Sequence, residues 1–138
     1  MHFTVLYLMK DEELDNISLS EIADDFSDRY CYCCGETRPR YQYYCDWFSI
    51  GGRWCDLLKA NRGIRGERSW TNADEDSEPN CYSVVEIKDL TENIDIDMIY
   101  AIALKSTIIE DQEKIGRYLD KINHQKIKGV IALIDCHD

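Results

Sequence analysis

Phe3-Thr4-Val5-Leu6-Tyr7-Leu8-Met9, residues 3–9, is a short run of mostly apolar side chains that includes β-branched and aromatic residues. No helix cap borders the run. A short apolar run of this composition is typical of a strand that is buried on both faces. The sequence therefore predicts that the fold begins with one fully buried strand.

The next signal along the chain is the start of a helix. Ser18 and Glu21 form an S-x-x-E capping box, and Ile17, before the cap, is spaced to pack against Ile22. We expect a helix to begin near Leu19. Its apolar residues recur at helical spacing and form one stripe: Leu19, Ile22, Ala23, Phe26 and Tyr30.

The rest of the chain predicts further strands and one more helix. In residues 41–48 aromatic residues and cysteine alternate with the period of a strand, and Gly51-Gly52 is typical of a turn or a bulge. We expect residues 53–59 to return from that turn as a partner strand. Further strands are expected at residues 81–87, 98–109 and 128–135, with a short helix as the alternative at 98–109, and a helix is expected at residues 110–123. Residues 60–80 are polar, with glycine and proline, and predict a flexible loop.

The predicted order of elements is β-α-β-β-β-β-α-β, in a single domain of residues 1–138. With 44% hydrophobic and 11% aromatic residues, 138 residues suffice for one core and are too few for two. Two β-α-β-like ends around an antiparallel middle indicate an α+β fold. We expect a mainly antiparallel sheet with two helices on one face, ferredoxin-like or related.

Composition restricts the cellular setting. No apolar run approaches the roughly 18 residues that a membrane helix needs, and the amino terminus lacks the pattern of a signal peptide. We therefore expect a cytoplasmic protein without membrane contact. The seven cysteines cannot all pair within one chain, and reduced thiols are the expectation.

The net charge of −11 is unevenly distributed. Residues 11–28 hold eight acids and no Lys or Arg, and residues 74–97 hold nine acids against Lys88. Residues 29–68, between them, carry eight bases and four acids. Because most of the surface would repel nucleic acid, we expect no direct nucleic-acid binding and favour a partner protein with a basic surface. The alternative is that the acids only keep the chain solvated.

A second distinctive feature is the run Asp46-Trp47-Phe48-Ser49-Ile50-Gly51-Gly52-Arg53-Trp54. Glycine pairs permit positive φ and close backbone approach, and Trp and Arg often anchor specific contacts. Arg53 could present its guanidinium, stacked on an indole, to a carboxylate, a phosphate or a peptide carbonyl. Alternatively, Arg53 pairs with Asp46 while the tryptophans pack in the core. The sequence leaves both interpretations open.

This run resembles the D-W-[YF]-x-I-G-G-R-W signature of a group of uncharacterised proteins from phages and other mobile elements. In that group an apolar strand often runs into D-C-H near the end of the chain, and Ile131-Ala132-Leu133-Ile134-Asp135-Cys136-His137 is similar. Residues 21–26 lie where the group has its first acidic helix. The resemblance implies a setting in phage biology and supplies no established activity.

One set of residues has the chemistry of an acid–base site. Asp135 and His137 are two residues apart, so a strand would place them on the same face. Asp46 and Arg53 could join them in a hydrolytic or nucleotide-binding site. The chain has no G-x-S-x-G, Walker or H-E-x-x-H motif, so catalysis is the alternative interpretation rather than the first.

The cysteines offer one candidate metal site. Cys31 and Cys34 have the spacing of half a zinc knuckle, but the chain has no second close pair to complete four ligands. Small buried thiols are the competing interpretation. We expect no metal and no other cofactor, with a site at this pair as the alternative.

The favoured hypothesis is a small acidic accessory protein of phage type that acts by binding. It would inhibit a host defence or nucleic-acid-processing factor, such as a nuclease, in the manner of anti-CRISPR proteins. Carboxylates can match a row of basic side chains, and tyrosines add rigid anchors to an interface. The expected contact residues are Asp24, Asp25, Asp28, Tyr41, Tyr43, Arg53, Asp74, Glu75 and Asp76.

Overall fold

The described part of the chain contains nine strands and two α-helices. The computed structural model describes residues 1–31, 45, 47–54, 57–68 and 79–137. The strands are β1 (His2–Lys10), β2 (Trp47–Gly52), β3 (Leu58–Lys59), β4 (Glu67–Arg68), β5 (Cys81–Tyr82), β6 (Val84–Glu86), β7 (Ala101–Ala103), β8 (Ile108–Ile109) and β9 (Gly129–His137). The helices are α1 (Leu19–Tyr30) and α2 (Gln112–Asn123). The predicted α+β class is confirmed.

Two long strands, β1 and β9, form the centre of the main sheet. They pair antiparallel over their full length, from His2 opposite His137 to Lys10 opposite Gly129. The order across the sheet is β4-β2-β9-β1-β7-β8, and β6 pairs with β9 as well. The β1–β7 and β2–β4 pairs are parallel and the others are antiparallel, so the prediction of a mainly antiparallel sheet is confirmed. β3 and β5 form a separate two-stranded sheet.

Alternate side chains of β1 enter two different cores. The odd-numbered residues from 3 to 9 cluster with Phe26 of α1, whereas Leu6 and Leu8 cluster with Leu119 of α2. Because successive strand residues point to opposite faces, α1 and α2 lie on opposite faces of the sheet. This arrangement replaces the predicted ferredoxin-like one, in which both helices shared a face. The physical reason is that a strand apolar on both sides needs cover on both sides.

Both helices begin at a side-chain cap. Ser18 Oγ accepts the N–H of Glu21 at 3.2 Å, which confirms the predicted start of α1. Asp111 Oδ1 accepts the N–H of Glu113 at 2.8 Å. Since Asp111 is the cap, α2 begins at Gln112, two residues later than predicted.

The chain after the glycine pair does not form the predicted hairpin. β2 pairs with β9 as far as Ile50, and then Gly51 and Gly52 pair in parallel with β4. The positive φ of the two glycines, 88° and 52°, bends β2 away from β9 toward β4, and a turn follows in which Trp54 N–H donates to Gly51 O at 2.9 Å. The hairpin prediction is therefore wrong: in the described part of residues 53–59 the one strand is β3, and it pairs with β5.

Other predicted boundaries shift by smaller amounts. The strand predicted at 98–109 is a hairpin of β7 and β8, closed by a hydrogen bond from Leu104 N–H to Thr107 O at 2.8 Å. The strand predicted at 81–87 is β5 and β6, and the last strand continues to His137. In the predicted loop at 60–80, residues 60–68 include β4 and two bridges to later segments. Residues 69–78 lie outside the described chain, as do 41–44 and 46 of another predicted strand.

A buried carboxylate joins the segment between β1 and α1 to β6. Glu86, 7% exposed, accepts the N–H of Leu14 at 2.9 Å and pairs with Lys88 at 3.2 Å. Arg62 lies 3.9 Å from Glu86 and also pairs with Asp15 at 2.8 Å. Burial alone raises the pKa of Glu86, but the Leu14 N–H, Lys88 and Arg62 outweigh burial and hold that pKa below its ordinary value.

Replacing Glu86 with glutamine should make stability less dependent on pH in the acid range. A carboxyl whose folded pKa is lowered stabilises the fold above its unfolded pKa, near 4.5, and loses that contribution as pH falls through the folded pKa. At pH 7 we expect Glu86→Gln to cost about 1–3 kcal/mol. Urea unfolding from pH 7 to pH 3 should show this cost shrinking below about pH 4.5. A cost that stays constant over that range would contradict the assignment.

Candidate functional site

A polar patch interrupts the α2 face of the sheet near the start of β1. Farther along this face, Leu6 and Leu133 pack in the cluster that contains α2. Directly opposed residues of an antiparallel pair share a face, so the register of β1, β9 and β2 brings six side chains together. We call this set the histidine site; its members are His2, Thr4, Trp47, Ser49, Asp135 and His137.

Asp135 is the buried centre of the histidine site, with 2% of its surface exposed. Its Oδ1 lies 2.8 Å from Nδ1 of His2, and its Oδ2 accepts the main-chain N–H of Arg53 at 2.9 Å. A carboxylate only accepts hydrogen bonds, so the contact assigns the proton to Nδ1 of His2. When the ring is neutral, Nε2 is then its acceptor nitrogen.

The glycine pair lets the backbone pass directly over Asp135. Gly52 has a φ of 52°, and a Cβ built there would lie 2.5 Å from Oγ of Ser49 and 2.6 Å from Cβ of Asp135. Contacts this close exclude any larger residue unless the backbone moves. Gly52 therefore allows the Arg53 N–H to reach the carboxylate.

Three aromatic rings meet beside Asp135. The indole of Trp47 stacks on the imidazole of His137, with centroids 5.0 Å apart and an angle of 14° between the rings. The ring of His2 meets both of them edge-on, at 5.0 Å from His137 and 5.4 Å from Trp47. Nδ1 of His137 is buried and has no hydrogen-bond partner among the described residues. Two imidazoles at this spacing can act as acid and base toward one small polar group.

The four residues of the predicted acid–base site have different outcomes. Asp135 and His137 lie in the histidine site, and Arg53 reaches it through its main chain. The side chain of Arg53 is exposed, as is that of Trp47 at 41%. Asp46 lies outside the described residues. Of the run from 46 to 54, therefore, Ile50 is a core residue, and Trp47 and Arg53 are surface residues.

The sequence interpretation missed His2 as a site residue and did not place Trp47 beside His137. His2 immediately precedes the apolar run, and only the strand register reveals its partner. The available signal was the presence of histidine at one end of each long strand. The two histidines can be recognised as neighbours only when β1 and β9 are known to pair antiparallel.

The acidic residues predicted on α1 divide into two groups. Asp24 and Asp28 are exposed and lie one helical turn apart. Asp25 accepts a hydrogen bond from the buried Tyr7 hydroxyl and pairs with Arg29 at 3.0 Å. Burial and the Asp25 carboxylate together raise the pKa of Tyr7. Asp25 thus joins α1 to β1.

The other predicted contact residues lie outside the described chain. They are Tyr41, Tyr43, Asp74, Glu75 and Asp76.

The predicted cysteine pair is seen in part. Cys31 is 1% exposed and lies opposite Cys45, 3% exposed, in a parallel bridge. Cys34 lies outside the described residues. Within the described ranges, no group of three or more His, Cys, Asp and Glu side chains is arranged to hold a metal ion.

Comparison with known protein families, with curated proteins and with solved structures finds no match to this chain. Among the described helices, none combines the length and the apolar character that crossing a membrane requires. Functional inference therefore rests on the geometry of the chain itself.

Proposed function

We propose that the histidine site binds a small anionic ligand and that His2 acts there as a proton acceptor in ester hydrolysis. The observation that carries the proposal is the buried Asp135 carboxylate, which accepts from both His2 Nδ1 and the Arg53 N–H. An imidazole held this way has its tautomer and its orientation fixed, as a general base requires. The protein is then a ligand-binding domain with hydrolytic chemistry.

Each group in the site has a role in this chemistry. The substrate in this proposal is a phosphate ester. Nε2 of His2 takes a proton from a water molecule while the oxygen of that water bonds to the phosphorus of the ester. The ester bond breaks, and His137, in its protonated form, supplies a proton to the leaving oxygen. The exposed guanidinium of Arg53 complements the negative charge of the ligand.

The charge of the protein favours a small ligand over a polymer. Because the protein has a net charge of −11, most of its surface would repel a nucleic-acid strand. A single phosphate ester needs only the local imidazoles and the guanidinium. This combination favours a small molecule as the ligand.

We expect His2→Gln to slow hydrolysis strongly without unfolding the protein. With p-nitrophenyl phosphate and bis(p-nitrophenyl) phosphate as probes, loss of the general base should lower the rate about 100-fold or more. His124 is exposed, so His124→Gln is the matched control and should keep the wild-type rate. A folded His2→Gln protein with the wild-type rate would contradict the proposal.

Ligand binding can be followed separately from turnover by NMR. The chain has three histidines, and His124 serves as the internal control. Titrated inorganic phosphate should shift the ring resonances of His2 and His137 and leave those of His124 unchanged. Equal shifts of all three histidine rings would indicate nonspecific phosphate binding and contradict the proposed site.

We also propose a protein-binding function for the acidic face of α1, supported by the exposure of Asp24 and Asp28. Two carboxylates one turn apart fit a basic partner surface. In the phage setting that the sequence resemblance implies, the partner would be a host defence or nucleic-acid-processing factor such as a nuclease. The protein would then inhibit that factor in the host cytoplasm.

The α1 proposal is tested by pull-down from bacterial lysate with a charge-matched control. The Asp24→Ala, Asp28→Ala double variant should lose a stoichiometric partner that the wild type retains. The Glu110→Ala, Glu113→Ala variant removes two exposed acids elsewhere and should retain the partner. Loss of the partner from both variants would assign the effect to net charge and contradict a specific α1 interface.

A further inference from the structure

We propose that the ligand of the histidine site is a nucleotide, whose base stacks on Trp47 and whose phosphate meets the imidazoles. This inference rests on the proposed function and adds the substrate class. It is carried by the position of an exposed aromatic ring directly beside the phosphate-binding groups. A phosphate group alone has no planar surface that could stack on that ring.

Trp47 is held as a preformed stacking surface. One side of its indole stacks on His137 at 14°, and the edge contact with His2 fixes the ring from another direction. Even so, 41% of the residue is exposed. A large aromatic ring that is oriented and still open to solvent binds a planar ligand at little entropic cost.

The polar groups beside the indole favour a phosphorylated ligand over a purely apolar one. His2 and His137 each have their ring centroid within 5.4 Å of the indole centroid. Base stacking and phosphate binding thus share one small surface.

Trp47 also differs from Tyr100, an exposed aromatic residue elsewhere on the described chain. Tyr100, 47% exposed, packs on Phe3 at 5.0 Å between ring centroids, on the face that belongs to the α1 core. It has no part in the histidine site. Tyr100→Ala is therefore the matched control for the loss of an exposed aromatic side chain.

The test compares adenosine monophosphate, ribose 5-phosphate and adenosine as probes, with affinities from isothermal titration calorimetry. We expect adenosine monophosphate to bind at least about tenfold more tightly than ribose 5-phosphate, because stacking adds to phosphate binding. Trp47→Ala should remove that advantage, and Tyr100→Ala should preserve it. The backbone amide spectrum of Trp47→Ala, compared with that of the wild type, verifies the fold of the variant.

The outcomes separate the two proposals. Equal affinity for adenosine monophosphate and ribose 5-phosphate, with the histidine shifts intact, would overturn the nucleotide assignment and leave the anion site. An advantage that survives Trp47→Ala would also overturn it. No binding of any probe, with His2 and His137 unshifted, would overturn the proposed function itself.

Discussion

Replacing Gly52 with alanine should destabilise the protein by about 2–4 kcal/mol, one of the two largest effects expected here. The alanine Cβ would lie 2.5 Å from Oγ of Ser49 and 2.6 Å from Cβ of Asp135, at a φ of 52° that L-residues rarely adopt. Relief of the clash requires the backbone to rise from Asp135. The Arg53 N–H then loses its acceptor, and urea unfolding should register the sum of these costs.

Gly116→Ala is the matched control for Gly52→Ala. Gly116 lies in α2, where a Cβ would meet Cδ1 of Ile96 at an ordinary 3.5 Å. Alanine is the better helix former by about 1 kcal/mol, so this variant should be as stable as the wild type or more stable. If Gly52→Ala were as stable as Gly116→Ala, the close passage of β2 over Asp135 would be refuted.

Replacing Asp135 with alanine should cost about 3–5 kcal/mol, the second large effect. The change removes the acceptor of both the His2 Nδ1 proton and the Arg53 N–H in a place that is 2% exposed. It also leaves a cavity beneath the chain at Gly52. Thermal and urea unfolding of the two proteins measure the difference.

Asp135→Asn separates the charge from the shape of that side chain. Asparagine keeps the volume and one acceptor oxygen, so we expect it to retain the Arg53 hydrogen bond and to lose less than half of the stability that alanine loses. His2 would nevertheless lose its carboxylate partner, and hydrolysis of the p-nitrophenyl probes should fall. Equal stability of Asp135→Ala and the wild type would show that the contacts of Asp135 with His2 and Arg53 do not stabilise the fold.

The parts of the fold that were predicted correctly are those that depend on local sequence signals. The S-x-x-E box at Ser18 lies within one helical turn and needs no distant partner, and α1 begins where the box indicates. The apolar run in β1 likewise predicted a strand buried on both faces. The prediction that both helices share one face was inconsistent with a strand buried on both sides, because each apolar face of β1 needs its own helix.

Nonlocal pairing explains what the sequence could not predict. Gly51-Gly52 has the composition of a hairpin turn, but β2 pairs with the distant β9 and then with β4. The site has the same character: Asp135 and His137 were recognisable from their spacing on one strand. His2 joins them only through the β1–β9 register, in which a shift of one residue would turn its side chain to the opposite face.

The tautomer of His2 tests the central claim most directly, because the claim is that Asp135 holds this ring as a base. Long-range nitrogen–proton correlation spectra, recorded at a pH of about 8, distinguish the two ring nitrogens of a neutral imidazole. The account predicts a proton on Nδ1 and a bare Nε2 for His2 in the wild type. A neutral His2 ring with its proton on Nε2 would contradict the hydrogen bond to Asp135, and with it the proposed site.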